Sequence, residues 1–219
     1  MTRSIIGAAF VSLDGVMQAP GGPEEDPTGG FDLGGWVFPF WEGAIEEGMA
    51  PLFSGPRDLL LGRRTYDIWA THWPYQKDDP IGEAYNRAAK YVVTSQTGPL
   101  SWANSHALND AFDGVARIKE QDGPDIQVWG SSTLYAGLIA QGLLDRLYLM
   151  TFPVLLGKGT RLFERGMPAK TLTLVDSTVS KNGVIIAIYE PAGPVELGSF
   201  ASEPSEAELA RREKLRRGG

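Results

Sequence analysis

The sequence predicts an α/β domain built on a mostly parallel sheet, and three observations carry that prediction. Short apolar runs rich in branched residues alternate with stretches of helical spacing, the pattern of strands covered on both faces by helices. Two of those runs, Arg57–Gly62 and Ile126–Gly130, end on a glycine and pass straight into a helix. The last two apolar runs flank Lys181-Asn182-Gly183, a hairpin turn signal that makes one edge of the sheet antiparallel.

In chain order, Ile5 to Leu13 is a near-continuous apolar run and reads as a central first strand, turned by Asp14-Gly15. Residues 18–35 form a long Gly/Pro-dense stretch with acidic Glu24-Glu25-Asp26, of the kind that serves as a functional lid or stays disordered. Trp36, Phe38, Phe40 and Trp41 follow and suit either a flat ligand or a core. A short helix is expected from about Trp41 to Pro51. Residues 57–62 make the second strand, and 63–69 the helix after it. Thr71 to Tyr85 reads as polar and turn-rich, Lys90 to Ser95 as the third strand, and Trp102 to Ser105 as a brief connection. Asn109 is placed to cap a helix over about 110–120. Residues 126–129 then form a strand, Gly130 opens a helix that ends near Gly142, and Leu147–Phe152 forms another strand. Pro153 to Phe163 is a glycine-bearing loop, and 172–177 with 184–189 make the terminal hairpin. One domain over 1–192 and a charged tail over 193–219 are expected, with a solvated helix at 205–217.

Composition narrows the function. The chain has 219 residues, 42% of them hydrophobic, enough for one sizeable core. A formal net charge of -7 argues against nucleic acid or an anionic membrane as the main partner, because both need a basic face. Small molecules are the expected partners. The absence of cysteine excludes disulfides, thiolate zinc sites and a cysteine nucleophile. With no signal peptide pattern and no run long enough to span a bilayer, the expectation is a soluble, cytoplasmic chain. His72 and His106 are the only histidines and no G-x-S-x-G occurs, so triad hydrolysis is not expected. Neither carboxylates nor histidines cluster with metal spacing, and Gly157-Lys158-Gly159-Thr160 is not a P-loop.

What remains is a pair of strand-Gly-helix junctions. At Gly130-Ser131-Ser132-Thr133 the free N–H groups and positive dipole end of a helix form a seat for phosphate, although an ordinary strand-to-helix turn has the same composition. At Gly62-Arg63-Arg64-Thr65 two arginines sit at a helix start, where they oppose the dipole unless an anion is present. With the hydroxyl pair Thr94-Ser95 at a third strand end and the aromatic-rich stretch near residue 40, this is a layout for an extended dinucleotide.

On these residues the chain resembles the dihydrofolate reductase family. Leu61-Gly62-Arg63-Arg64-Thr65-Tyr66 is similar to its G-R-x-T segment, Val93-Thr94-Ser95-Gln96 to its strand-end hydroxyl-Ser-Gln, and Val128-Trp129-Gly130-Ser131-Ser132-Thr133-Leu134-Tyr135 to its glycine-pair turn and following tyrosine. Ser12-Leu13-Asp14-Gly15 and Pro153-Val154-Leu155-Leu156-Gly157 with Gly159 are more similar to the reductase domain of the bifunctional riboflavin-biosynthesis deaminase/reductase and its stand-alone counterparts. The resemblance spans roughly Arg3 to Glu190.

The resemblance implies a dihydrofolate reductase-like fold and an NADPH-dependent reductase, with the cofactor across the carboxyl ends of the strands. By similarity Arg63 and Ser95 hold the 2′-phosphate, beside Thr94 and Gln96. Gly62, Arg64 and Thr65 hold the pyrophosphate from one helix, and Gly130, Ser131, Ser132, Thr133 and Leu134 hold it from the other. Two arginines favour NADPH over NADH. Trp129 and Tyr135 would face the nicotinamide end. A gapless count back from Gly62 puts Glu46 at the family's substrate carboxylate and Trp41 at its tryptophan. The resemblance also suggests a homodimer through the sheet edge or hairpin. Two departures stand out: Gly130-Ser131 replaces the glycine pair, and the insertion at 18–35 reshapes the substrate side, so the hydride acceptor is left open as a small, flat or heterocyclic molecule. The rivals are a non-enzymatic NADP-binding protein whose aromatic rings fill the cleft, and a nucleotide-binding α/β domain of another family.

Overall fold

The computed structural model describes residues 2–76, 78–164, 167–200 and 203–217. Its strands are β1 (Ile5–Ser12), β2 (Asp58–Gly62), β3 (Lys90–Val93), β4 (Ser105–Leu108), β5 (Ile126–Trp129), β6 (Arg146–Phe152), β7 (Leu172–Val179) and β8 (Ile185–Pro191). They form one sheet in the order β4-β3-β2-β5-β1-β6-β8-β7. The run of branched and small residues in β1 is central, as its apolar character on both faces requires, and pairs in parallel with β5 and β6. β2 pairs in parallel with β5 and β3, and β3 with β4. Among the named strands antiparallel pairing enters at the end, where β8 runs against β6 and β7 against β8.

The helices are α1 (Gly43–Phe53), α2 (Arg63–Ala70), α3 (Pro80–Arg87), α4 (Ala111–Lys119), α5 (Ser132–Ala140) and α6 (Glu206–Arg217). Because side chains alternate along a strand, the sheet has an apolar layer on each face. Leu59, Leu61 and Trp129 share one layer with Ile45 and Met49 of α1, Tyr66 of α2 and Tyr85 of α3. Leu60, Ile126 and Val128 share the other with Val115 of α4 and Leu134, Tyr135 and Leu138 of α5. Gly7 permits the second layer's close approach, since a Cβ there would lie 2.6 Å from the Tyr135 ring. None of α6 is buried, and its Glu208–Arg211, Glu208–Arg212 and Glu213–Arg217 pairs are those of a solvated helix.

The structure corrects several local expectations. The turn-rich stretch before Tyr85 contains α3, started by Pro80 at its first position and capped by Asp79, whose Oδ1 accepts from Ile81 N (2.8 Å) and Gly82 N (3.0 Å). The connection after Trp102 leads into an edge strand, β4, whose polar sequence conceals it. β3 stops at Val93, and Thr94–Gln96 forms a turn in which Gln96 N donates to Thr94 Oγ1 (3.0 Å). Asn109 does not cap α4: Asp110 occupies that position, without a side-chain cap, and pairs with Arg117. Residues 18–35 are ordered by packing. The Gln18 amide donates to Asp26 O and Thr28 O (both 2.9 Å), its Oε1 accepts from Thr160 N (2.9 Å), and Phe31 is buried.

The loop after β6 is held to the β1 turn by Asp14. Its carboxylate accepts from Ser12 Oγ (2.7 Å), Leu156 N (3.1 Å) and Gly157 N (2.9 Å). The Ser12 hydroxyl above all, with those amides, pulls the carboxyl from 3.8 down to about 2. A folded value below the unfolded one gives stabilisation that is complete above the unfolded value and fades as pH falls through about 2. The carboxylate is partly solvated, so the contribution is about 1 kcal/mol after screening. In acid unfolding, Asp14→Asn should be the less stable protein near neutrality, and the gap should close between about pH 4 and pH 2. A gap of constant size at pH 2 would remove Asp14 as its cause.

Candidate functional site

The helices that follow β2 and β5 leave the sheet in opposite directions. β2 and β5 are hydrogen-bonded neighbours, yet α2 packs in the first apolar layer and α5 in the second. A crevice therefore opens at the carboxyl ends of these strands, the switch point where open α/β sheets bind ligands. A cleft of about 1290 Å³ lies there, lined by Ala8–Phe10 of β1, both strand-to-helix junctions, and Gln18–Asp26 of the long loop.

The two helix starts are locked to each other. Gly62 N donates to Ser131 Oγ (2.7 Å), Ser131 N donates to Thr65 Oγ1 (3.0 Å), and the two hydroxyls lie 3.1 Å apart. To make these contacts the chain passes through two left-handed residues, Gly130 (φ 55°) and Ser131 (φ 57°). A Cβ on Gly130 would come within 2.7 Å of Thr65 Oγ1, so only glycine lets the helices approach this closely. No side chain caps the first turn of either helix. Their N-terminal amides and dipoles thus converge on one cleft, the electrostatic condition for an anion with two phosphates. Arg63 lies at the same place. Its Nε donates to both oxygens of Asp67 (2.8 and 3.0 Å), while Nη1 is buried without a hydrogen-bond partner. Arg64 is mostly exposed, 3.7 Å from Asp26 of the loop.

Residues 3–186 match the model of the RibD C-terminal domain family. The chain belongs to that family. Among curated proteins it is similar to two uncharacterized proteins of Bacillus subtilis (strain 168): YyaP, 25% identical over 135 residues (60% of this chain, 72% of that protein), and YwjB, 27% over 169 residues (74% and 84%). Among solved structures it is similar to a putative riboflavin biosynthesis protein from Shewanella sp. PV-4, with a TM-score of 0.58 and 16% identity over 86% of this chain and 99% of that one. It is also similar to an Enterococcus faecalis dihydrofolate reductase complexed with NADP(H), with a TM-score of 0.54 and 14% identity over 87% and 99%. The fold is therefore dihydrofolate reductase-like.

This RibD-type chain brings together most of the residues singled out from sequence. Gly62, Arg63, Arg64, Thr65, Trp129, Gly130, Ser131, Ser132 and Thr133 all line the cleft. Others stand apart. Thr94, Ser95 and Gln96 are not among the lining residues, although they follow Val93, which is paired with Gly62 in the register. Leu134 is buried in the second apolar layer. Tyr135 does not face the cleft. It is fully buried on the opposite face of the sheet from Trp129, with its hydroxyl 3.1 Å from Ala8 O and 3.0 Å from Val128 O. Burial pushes its phenol well above the ordinary value, so it is a neutral strut holding β1 and β5 where their ladder ends. Glu46 is exposed and outside the lining. Its Oε1 accepts from Trp41 Nε1 (3.1 Å), which steadies a ring that does line the cleft.

The other wall is aromatic. The Phe10 ring centroid lies 6.0 Å from that of Trp41 and 6.0 Å from that of Trp129, and Trp129 lies 6.3 Å from Trp69. Trp129 is itself fixed from behind: its Nε1 donates to Gln127 Oε1 (3.0 Å), and Gln127 Nε2 donates to Leu52 O (2.5 Å). The ring cluster seen in the sequence divides, for Trp36 is buried with Nε1 on Gln18 O, whereas Phe38 and Trp41 line the cleft. Sequence reasoning missed Phe10, Trp69, His72 and Trp73 as lining residues. The position of Phe10 near the carboxyl end of β1 was the available signal, as was the i,i+4 spacing of Trp69 from Thr65 on α2. Two glycine amides, Gly21 N and Gly22 N, close the loop on Glu25 Oε2 (2.6 and 3.2 Å), and burial pushes that carboxyl up.

Proposed function

We propose that the chain is an NADPH-dependent reductase that delivers a hydride to a small, flat heterocycle held against the aromatic wall. The observation that carries this reading is the pairing of two uncapped helix N-termini, joined by the 3.0 Å hydrogen bond from Ser131 N to Thr65 Oγ1, with the unpartnered buried Nη1 of Arg63 at the same cleft. That donor set fits a dinucleotide: amides and dipoles for the pyrophosphate, and a guanidinium for the further phosphate that distinguishes NADPH from NADH. The bound nicotinamide supplies the hydride. The chain's own residues bind, orient and exclude water: α2 and α5 fix the phosphates, Phe10 and Trp129 form an apolar floor, and the loop through Gln18–Asp26 closes one side. The kinship of the fold with an Enterococcus reductase that holds NADP(H) supports the same choice of cofactor. A cleft of about 1290 Å³ supports an enzyme over a binding protein whose own rings fill the site.

The reductase domain is proposed to occupy 1–192, with 193–219 lying outside the catalytic unit, and two such domains are proposed to pair through the sheet edge or hairpin. No described helix is long and apolar enough to cross a membrane; a cytoplasmic location is part of this proposal.

Titration with NADPH, followed by its fluorescence, tests the cofactor. Saturable binding in preference to NADH is expected, and Arg63→Ala should weaken NADPH by about 2 kcal/mol while changing NADH much less. Equal losses for the two cofactors would show that Arg63 does not read the 2′-phosphate. Depletion of NADPH absorbance across a panel of flat heterocycles then separates turnover from binding alone.

A further inference from the structure

The cleft carries charge information that the cofactor reading does not use. Its lining holds five carboxylates, Glu24, Glu25, Asp26, Asp67 and Glu164, against two arginines, Arg63 and Arg64. Both arginines belong to the α2 seat, and each already faces a carboxylate, Asp67 and Asp26 respectively. Among the described residues no lysine lines this cleft; Lys158 lines the smaller neighbouring one and pairs with Asp32 at 2.6 Å. A bound dinucleotide would engage the arginines and add its own negative phosphates. The acceptor compartment is then left, among the described residues, with carboxylates and no lysine or further arginine, and the histidine of the lining, His72, interacts with Glu25.

Beyond the hydroxyls of the two helix starts and the polar groups of Gln18, Thr71, His72 and Thr160, its wall is aromatic, and one neutral donor, Trp73 Nε1, is buried there without a hydrogen-bond partner. Phe10, Phe38, Trp41, Trp69 and Trp129 line it, and the indole N–H groups of Trp41 and Trp129 are already given to Glu46 and Gln127. Such a wall rewards planar area and offers little compensation for a desolvated anion.

We propose that the substrate of this cleft is an uncharged aromatic or heteroaromatic molecule, and that the carboxylates of the 18–35 loop and Glu164 reject phosphorylated and carboxylated relatives of it. This rests on the reading of the cleft as a reductase site and deepens it. It assigns Trp41 to substrate stacking, and Glu24 and Glu164 to charge selection.

Two isosteric probes test it: naphthalene-2-carboxamide, neutral, and naphthalene-2-carboxylate, an anion near neutral pH. Each is titrated into the full chain, alone and with saturating NADP⁺, by quenching of tryptophan fluorescence. The amide should bind saturably, and the carboxylate about tenfold or more weakly, because a like-charged apolar site penalises the anion. Trp41→Ala should weaken the amide about tenfold, the loss of one stacking partner. Glu24→Gln combined with Glu164→Gln, both at exposed positions, should narrow the gap between the probes. A carboxylate that binds as tightly as the amide overturns the proposal, as does failure of both probes to bind the NADP⁺ complex. Failure of NADP⁺ itself to bind, with the amide still bound, overturns the cofactor reading instead and leaves the neutral site standing.

Discussion

Arg3→Leu should cost the protein about 3–5 kcal/mol of stability, enough to unfold a marginal variant at physiological temperature. Arg3 is 3% exposed and stands just before β1, at the amino ends of the strands and opposite the cleft. Its Nη2 pairs with Asp58 at the start of β2, its Nε donates to Pro124 O (2.6 Å) before β5, and its Nη1 lies 3.4 Å from the Tyr91 hydroxyl on β3. Four parallel strands are thus tied by one guanidinium. Removing it leaves the Asp58 carboxylate buried without its guanidinium partner, held by the Ala89 amide, which donates to Oδ1 at 2.9 Å, and by the weaker field of Lys90. The cost is mostly that stranded charge rather than the worth of the pair. Urea unfolding should therefore show Arg3→Leu as the severe variant, and Asp58→Leu added to it should restore part of the loss. A double variant no more stable than the single one would place the cost in packing instead. NADPH affinity of the folded fraction should be nearly unchanged, since the pair lies at the other end of the sheet.

The parts of this fold that were legible in the sequence share a physical feature. β1, β2 and β5 are buried on both faces, and their apolar runs leave little room for any other reading. The β7–β8 turn announces itself through Asn182-Gly183, where Gly183 takes a φ of 81°. β4 was illegible because an edge strand with half-exposed Ser105 and exposed His106 lacks apolar alternation. α3 was hidden by its short, polar exposed face, although Asp79-Pro80 is a helix start signal. The two strand-Gly-helix junctions that line the cleft could be read because glycine and hydroxyl residues mark them locally. Which face of the sheet Tyr135 joins could not, since that depends on α5 crossing to the second layer while α2 stays in the first. Ser131 is instructive in the same way. In sequence it looks like a lost glycine, whereas in three dimensions its hydroxyl takes the Gly62 amide and so ties one helix start to the other.

That tie makes Gly130 the position with the largest expected effect on cofactor binding. Gly130→Val should destabilise the protein by about 2–5 kcal/mol and weaken NADPH by at least about tenfold. A branched side chain at φ 55° is strained before any neighbour is considered. Its Cβ would also meet Thr65 Oγ1 at 2.7 Å and Thr65 Cγ2 at 2.9 Å, on the first turn of α2. Relief requires α2 and α5 to separate, which breaks the Ser131 N to Thr65 Oγ1 bond and pulls the two amide sets off a common phosphate pair. Gly130→Ala meets the same contacts with less bulk and serves as the milder, foldable form. Thr65→Ser, which removes the Cγ2 methyl and keeps the hydroxyl, should recover part of both losses when combined with Gly130→Ala. Affinity that falls in Gly130→Ala and stays low in the double variant would remove the Cγ2 contact as the cause and leave backbone strain and the Oγ1 contact; affinity that recovers makes the distance between the two helix starts the quantity that this turn controls.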